Sequence, residues 1–273
     1  MLNDRTSGPE PVLVAPGITV GAGRPLALIA GPCVLEDDAT VFMTVDRLVR
    51  LAARYEVPLI FKSSFEKDNR TRGDAFRGPG LAEGLALFEA LHARFDMPIL
   101  TDVHREEDVP AVAAVVDVLQ VPAFLCRQTR LLEAIGRTGK PVNVKKGQWL
   151  SPVAMAGTRD KLRSAGARRI LLTERGSAFG PERLVCDMSS IATLRGLGCP
   201  AVFDAGHASN RREEIPILAR AGVAAGADAL FVEVHPDPQR ARCDGPRMLD
   251  LDELEALLPL ILEIAAIVRS RRS

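Results

Sequence analysis

Eight short apolar runs, each followed by a stretch with helical spacing, constrain this chain more than any other feature. They are "LALIA" (26–30), "PLIFKS" (58–63), "PILTDV" (98–103), "DVLQVP" (117–122), "PVNVKK" (141–146), "RILLTE" (169–174), "AVFDAG" (201–206) and "ALFVEVH" (229–235). Several lack polar alternation over most of their length, as parallel strands covered on both faces do. Between the runs the spacing is helical. Val41, Val45, Leu48, Val49 and Ala52 share one face, with Asp37 or Asp38 available as N-cap. The last helix opens on Asp250 and Glu253 at capping-box spacing, and Pro259 is expected to bend it. Eight strand–helix units in about 250 residues predict a single (β/α)8 barrel over residues 1–273. A doubly wound open sheet is the rival, but it carries a Gly-rich nucleotide fingerprint that this sequence lacks. The leading "PVLVAPGITVGAG" (11–23) reads as a hairpin that covers the barrel's lower mouth.

Charge and cysteine usage narrow the function classes. Thirty-five Lys+Arg balance thirty-five Asp+Glu, so no global field draws nucleic acid or a membrane surface. Functional positive charge must therefore be local. The start, "MLNDRTSGPEPV", carries Asp4 and Glu10 and has no apolar core of the kind a secretion signal needs. Leu251 to Val268, the longest apolar stretch, is interrupted by Glu253, Glu255, Pro259 and Glu263, which argues against a membrane span. Five cysteines without paired spacing suit reduced thiols in a cytoplasm.

Polar residues gather where the apolar runs stop: Cys33, Lys62, Asp102, His104, Gln120, Lys145, Lys146, Glu174, Arg175, Asp204, His207, Glu233 and His235. In a barrel these ends converge on one face, the face on which active sites are built. Lys62, Lys67, Arg70, Arg127, Lys145, Lys146 and Arg175 would repel one another there unless anionic ligands join them. Arg forks suit phosphate and carboxylate, and lysines add point charge. A Schiff-base lysine needs one desolvated amine rather than a crowd of cations. The pair Lys145–Lys146 is the sharpest case. Strand alternation sends the two side chains to opposite faces, yet the run reads as buried.

A metal site is a second candidate. The last two strands and the first are neighbours once a barrel closes, which brings His207, Glu233 and Cys33 together, with Asp244 in the loop after the last strand. One thiolate, one imidazole and two carboxylates suit Fe²⁺, Mn²⁺ or Zn²⁺ better than Mg²⁺. From spacing alone, Cys33 reads better as a small buried hydrophobe, and Cys126, Cys186, Cys199 and Cys243 read that way as well.

The strings "AGPCVLE" (30–36), "FKSSFEKDNR" (61–70), "FRGPGLAEGL" (76–85), "TDVH" (101–104), "LQVPAFLCRQT" (119–129), "VNVKKGQWL" (142–150), "TERGSAFG" (173–180) and "HPDPQRARCDGP" (235–246) resemble 3-deoxy-D-manno-octulosonate 8-phosphate synthases. That resemblance implies a (β/α)8 barrel, usually a homotetramer, condensing phosphoenolpyruvate with D-arabinose 5-phosphate in lipopolysaccharide sugar biosynthesis. It implies the metal-dependent form, with Cys33, His207, Glu233 and Asp244 as ligands of a divalent ion (Fe, Mn, Zn or Co). It further implies that Lys145 and Arg175 hold the carboxylate and phosphate of phosphoenolpyruvate, with Lys62 and Lys67 alongside. Lys146 would support that pocket, and Asp102, His104 and Gln120 lie at the same strand ends. Asn69, Arg70 and Thr71 fall in the aldose-phosphate motif, and Arg127 matches a residue reaching that phosphate from a neighbouring subunit.

Some positions depart from the family pattern. Lys67-Asp68-Asn69-Arg70-Thr71 stands where Lys-Ala-Asn-Arg-Ser is usual, so Asp68 must point away from the phosphate or pair with Arg72. Arg130 replaces an Asp, "FGPER" (179–183) lacks the usual Tyr and Asn, and the loop after His207 is shortened. Asn210, Arg211 and Arg212 are candidates to replace that loop's donors. These changes sit on the aldose side and leave two alternatives: a paralogue using another aldose phosphate, or a silent binding homologue.

Overall fold

The structure, a computed structural model, describes residues 8–180 and 183–271. The expectations resting on Asp4 and on the Pro181–Glu182 part of "FGPER" lie outside the described residues, as do positions 272 and 273. Strands β1 (Val12–Ala15) and β2 (Ile18–Val20) form the expected hairpin, with Val12 opposite Val20. Strands β3 (Ala27–Gly31), β4 (Leu59–Lys62), β5 (Ile99–Asp102), β6 (Val118–Val121), β7 (Val142–Lys145) and β8 (Ile170–Glu174) follow. A small ribbon, β9 (Ser177–Ala178) with β10 (Leu184–Val185), precedes β11 (Ala201–Asp204) and β12 (Ala229–Glu233). The eight strands β3 to β8, β11 and β12 close into a parallel barrel in which β12 pairs with β3. Closure excludes the open sheet.

Helices α1 (Asp38–Tyr55), α2 (Leu81–Arg94), α3 (Val109–Val115), α4 (Thr129–Arg137), α5 (Met155–Ser164) and α6 (Ser189–Gly196) ring the barrel. They are joined by α7 (Ala205–Ala208), α8 (Ile215–Ala224) and α9 (Leu251–Ser270). Asp37 caps α1 by accepting from Thr40 N at 2.9 Å. Asp250 and Glu253 close the reciprocal capping box at the start of α9, and the helix runs on past Pro259 to Ser270. No helix among the described residues is long and apolar enough to cross a membrane.

Period-two alternation sorts the strand residues. Leu59 and Phe61 pack outward against the helices, whereas Ile60, Leu100, Val118, Leu171, Val202 and Phe231 fill the barrel's interior. Val12, Val14 and Val20 of the hairpin pack onto the same interior cluster, so the hairpin closes the lower mouth as expected. Helix α8 sits close because Gly222 leaves room: a Cβ there would meet the Phe203 ring at 2.3 Å.

Candidate active site

Two residues beyond six of the interior apolar positions, the same face of the strand reaches the upper mouth with a polar residue. Ile60 leads to Lys62, Leu100 to Asp102, Val118 to Gln120, Leu171 to Thr173, Val202 to Asp204 and Phe231 to Glu233. All six of these polar residues are buried. Alternation that builds an apolar floor thus also aims a polar layer into one cavity.

The charges there are interleaved. Lys62 Nζ donates to Cys33 O at 3.1 Å, Ser64 Oγ at 3.2 Å and Glu233 Oε1 at 3.2 Å. Ser64 Oγ in turn donates to Asp102 Oδ1. Asp102 Oδ2 lies 3.9 Å from Lys67 Nζ and 3.5 Å from His104 Nε2. Burial alone would lower the Lys67 pKa, but the Asp102 carboxylate, with Cys33 and Glu233, reverses this and raises it well above its ordinary value. Lys145 Nζ donates to Asp204 Oδ2 at 2.6 Å, lies 3.4 Å from His207 Nδ1 and sits 3.8 Å above the Phe231 ring. Here burial wins and lowers the pKa, partly offset by Asp204. Asp204 itself is held far below the carboxylate range: His207 and Lys145 outweigh the desolvation.

Beside this network lies a thiol–imidazole–carboxylate corner. Cys33 Sγ donates to Asp244 Oδ2 at 3.1 Å. His207 Nε2 is 3.9 Å from Glu233 Oε2 and 4.0 Å from Asp244 Oδ2. Glu233 Oε2 is buried with no hydrogen-bond partner among the described residues. Burial, then the Cys243 thiol and the Glu233 carboxylate, push the Cys33 thiol well above its usual pKa. Asp244 is held at about 2, with His207 the leading opponent of desolvation. A thiol and an unpartnered carboxylate oxygen facing an imidazole are donors suited to a divalent ion. The corner opens into a cleft of about 680 Å³, lined in part by Asn69, Arg70, Thr71, Gln148, Arg175 and His207.

With this geometry in view, the comparison with known proteins is decisive. The family model described as the DAHP synthetase I family matches residues 6–270. The chain belongs to that family. A 2-dehydro-3-deoxyphosphooctonate aldolase of Syntrophotalea carbinolica is 47% identical over 272 residues, covering 96% of this chain and 98% of its own length. Proteins of the same name from Acidithiobacillus ferrooxidans and Stenotrophomonas maltophilia are 45% and 46% identical, each over 93% of this chain and 95% or more of their own length.

Within this DAHP synthetase I family barrel, Lys62, Lys67, Asp102, His104, Gln120, Lys145, Arg175 and His207 line one inner cavity, as the strand ends predict. Lys146 does not. Alternation turns it outward, where Nζ lies 3.4 Å from Glu174 Oε1 and donates to the carbonyls of Leu150 and Gly176 at 3.3 and 3.2 Å. Glu174 Oε1 also accepts the backbone N–H groups of Arg175 and Gly176, at 3.0 and 2.7 Å. The second lysine is therefore a buried brace behind the turn that carries Arg175. Lys146→Met would leave the Glu174 carboxylate unpaired in the interior, and denaturant unfolding should show a loss of about 3 kcal/mol or more.

Arg127 is exposed and stands outside the cleft, while Phe124, which the sequence reading passed over, lines it and stacks on Trp149 at 5.7 Å. Asp68 pairs with Arg77, not Arg72, which instead holds Asp74 at 2.6 Å. Arg211 and Arg212, the candidates for loop donors, do not line the cleft or the inner cavity. Arg211 bonds Glu214, and Arg212 bonds Asp250 and Glu253, so both face the helix side. Asn210 braces β10 by exchanging bonds with Leu184. Cys243, expected to be a small hydrophobe, has its sulfur 3.1 Å from that of Cys33 and 2.7 Å from Arg70 Nη1. Its position next to Asp244 was the available signal, because any loop delivering one delivers the other.

Proposed function

We propose that the protein condenses phosphoenolpyruvate with D-arabinose 5-phosphate and water, giving 3-deoxy-D-manno-octulosonate 8-phosphate and inorganic phosphate. The observation that carries this reading is a mouth of Lys62, Lys67, Lys145 and Arg175 beside the Cys33–His207–Glu233–Asp244 corner, in a chain matching 2-dehydro-3-deoxyphosphooctonate aldolases over more than 90% of its length. Such an enzyme serves lipopolysaccharide sugar synthesis in a cytoplasm.

The enol carbon of phosphoenolpyruvate bonds to the aldehyde carbon, whose oxygen takes a proton to become a hydroxyl. Water then adds at the carbon bearing the phosphate and loses its proton, and the hemiketal phosphate expels inorganic phosphate to leave a ketone. Lys145, Arg175, Lys62, Lys67 and Gln120 hold the carboxylate and phosphate as charge shifts between them. Glu233, Asp102 and Asp204 already offset part of the repulsion among the lysines, and a bound anion adds to that. Asp102 keeps Lys67 protonated and orients His104 for proton transfer. Asn69, Arg70 and Thr71, which line the outer cleft, take the aldose phosphate. Cys33 Sγ, His207 Nε2, Glu233 Oε2 and Asp244 Oδ2 would hold a divalent ion (Fe, Mn, Zn or Co). When bound, it supplies Lewis-acid charge at that corner. The test is phosphate release from phosphoenolpyruvate with arabinose, ribose and erythrose phosphates. Arabinose 5-phosphate should be preferred, and equal use of all three would favour a paralogous activity.

The proposed assembly is a homotetramer in which Arg127 reaches a neighbour's aldose phosphate, a reading its exposure outside its own cleft supports. Mixing Arg127→Ala protomers with Lys145→Met protomers should regenerate activity above either parent. Mixed oligomers no more active than the parents would remove the shared site.

A further inference from the structure

Gln120, Asn143 and Thr173 form a buried chain across three adjacent strands, β6, β7 and β8. Thr173 Oγ1 donates to Asn143 Oδ1 at 2.6 Å, and Asn143 Nδ2 donates to Gln120 Oε1 at 2.9 Å. Gln120 and Asn143 occupy paired positions of the β6–β7 ladder, so their side chains leave the sheet side by side. Gln120 also lines the inner cavity with Lys62, Lys67, Lys145 and Arg175. A primary amide has one accepting end and one donating end. With its oxygen engaged by Asn143, Gln120 turns its NH2 group toward the cavity.

We infer that Asn143 is a positioning residue that locks the Gln120 amide with its donor inward, ready for an acceptor oxygen of the phosphoenolpyruvate carboxylate. The lock is needed because the surrounding cations pull the other way. Without Asn143, the Gln120 carbonyl would turn toward the nearest lysine, and the bound carboxylate would meet a carbonyl oxygen instead of an N–H. Thr173 completes the device by occupying the Asn143 oxygen, so the Asn143 amide is itself held in one sense. The identity of the ligand rests on the proposed function, and the hydrogen-bond chain does not.

Asn143→Asp keeps the size and the acceptor for Thr173 but cannot donate to Gln120. The Gln120 amide should then flip to donate to the new carboxylate. Calorimetric titration with phosphoenolpyruvate should show affinity reduced about 10- to 100-fold, with the Michaelis constant for arabinose 5-phosphate changed less than about threefold. Gln120→Leu supplies the reference, since it removes the donor directly. In that background Asn143→Ala, which places no charge beside the anion, should weaken binding by no more than about twofold further, because Asn143 acts through Gln120. Asn143→Ala, which adds no buried charge, carries the same test if Asn143→Asp fails to fold, with about fivefold expected. Affinity unchanged in the single variants, or losses that multiply in the double variant, would overturn the inference. If the wild-type protein does not bind phosphoenolpyruvate at all, the inference falls together with the proposed function. If it binds and Asn143→Asp binds equally, only the inference falls.

Discussion

Lys145→Met is expected to lower kcat/KM for phosphoenolpyruvate by about 10³-fold or more. The amine sits 2.6 Å from Asp204 Oδ2 and faces the cavity with Lys62, Lys67 and Arg175, so its charge is desolvated and aimed. Removing it takes away a donor for the anion and leaves Asp204, wholly buried, with the His207 ring, 2.9 Å away, as its remaining close side-chain partner. Stripping one partner from a buried ion pair costs about 3–5 kcal/mol, so stability should fall as well as turnover. The sign with pH follows. In the wild type, Asp204 has a depressed pKa, and its stabilisation is present above the ordinary carboxylate range and lost only as pH falls through that lower value. In the variant, Asp204 takes up a proton more readily, so the stability gap should be widest near neutrality and shrink on acidification. Steady-state kinetics and denaturant unfolding at two pH values check both parts. A loss of tenfold or less would mean that Lys145 does not carry the anion.

Cys33→Ala is expected to lose bound metal and turnover together, the rate dropping to background. The sulfur is 3.1 Å from Asp244 Oδ2, and Asp244 in turn approaches His207, whose Nε2 faces the unpartnered Glu233 oxygen. Burial and neighbouring acid raise the Cys33 pKa, and a cation reverses that balance by stabilising the thiolate. Metal analysis of the purified variant gives a readout independent of rate. Chelation of the wild type should abolish turnover, with Mn²⁺, Fe²⁺ or Co²⁺ restoring it. Cys33→Asn should recover little, because His207, Glu233 and Asp244 remain arranged around a cation. Full activity in metal-stripped protein would contradict this account.

The barrel was legible because each buried strand had to be apolar on both faces, and observed strand limits fall within two residues of the runs: 59–62 within 58–63, and 142–145 within 141–146. Strand ends therefore carried the cavity residues with them. Alternation also separates the paired lysines, Lys145 inward and Lys146 outward, and explains how both can be buried. What stayed illegible depended on side-chain direction in loops and on partners distant in sequence. Nothing local says that Arg77 rather than Arg72 reaches Asp68, or that Arg212 spends its charge on Asp250 and Glu253. Asn143 was hidden for a different reason. It reads as the polar residue of a short alternating run, and only the side-chain hydrogen bonds across β6, β7 and β8 show it standing between Gln120 and Thr173.

The most direct test of the central claim is carbon NMR of phosphoenolpyruvate labelled at its methylene carbon, followed with and without arabinose 5-phosphate in the metal-loaded protein. The account predicts that the label becomes a saturated methylene bonded to a new carbon, with one phosphate released per label converted and no reaction when the aldose is left out. Label appearing as the methyl group of pyruvate, or phosphate released at the same rate without the aldose, would show hydrolysis instead of condensation and would contradict it.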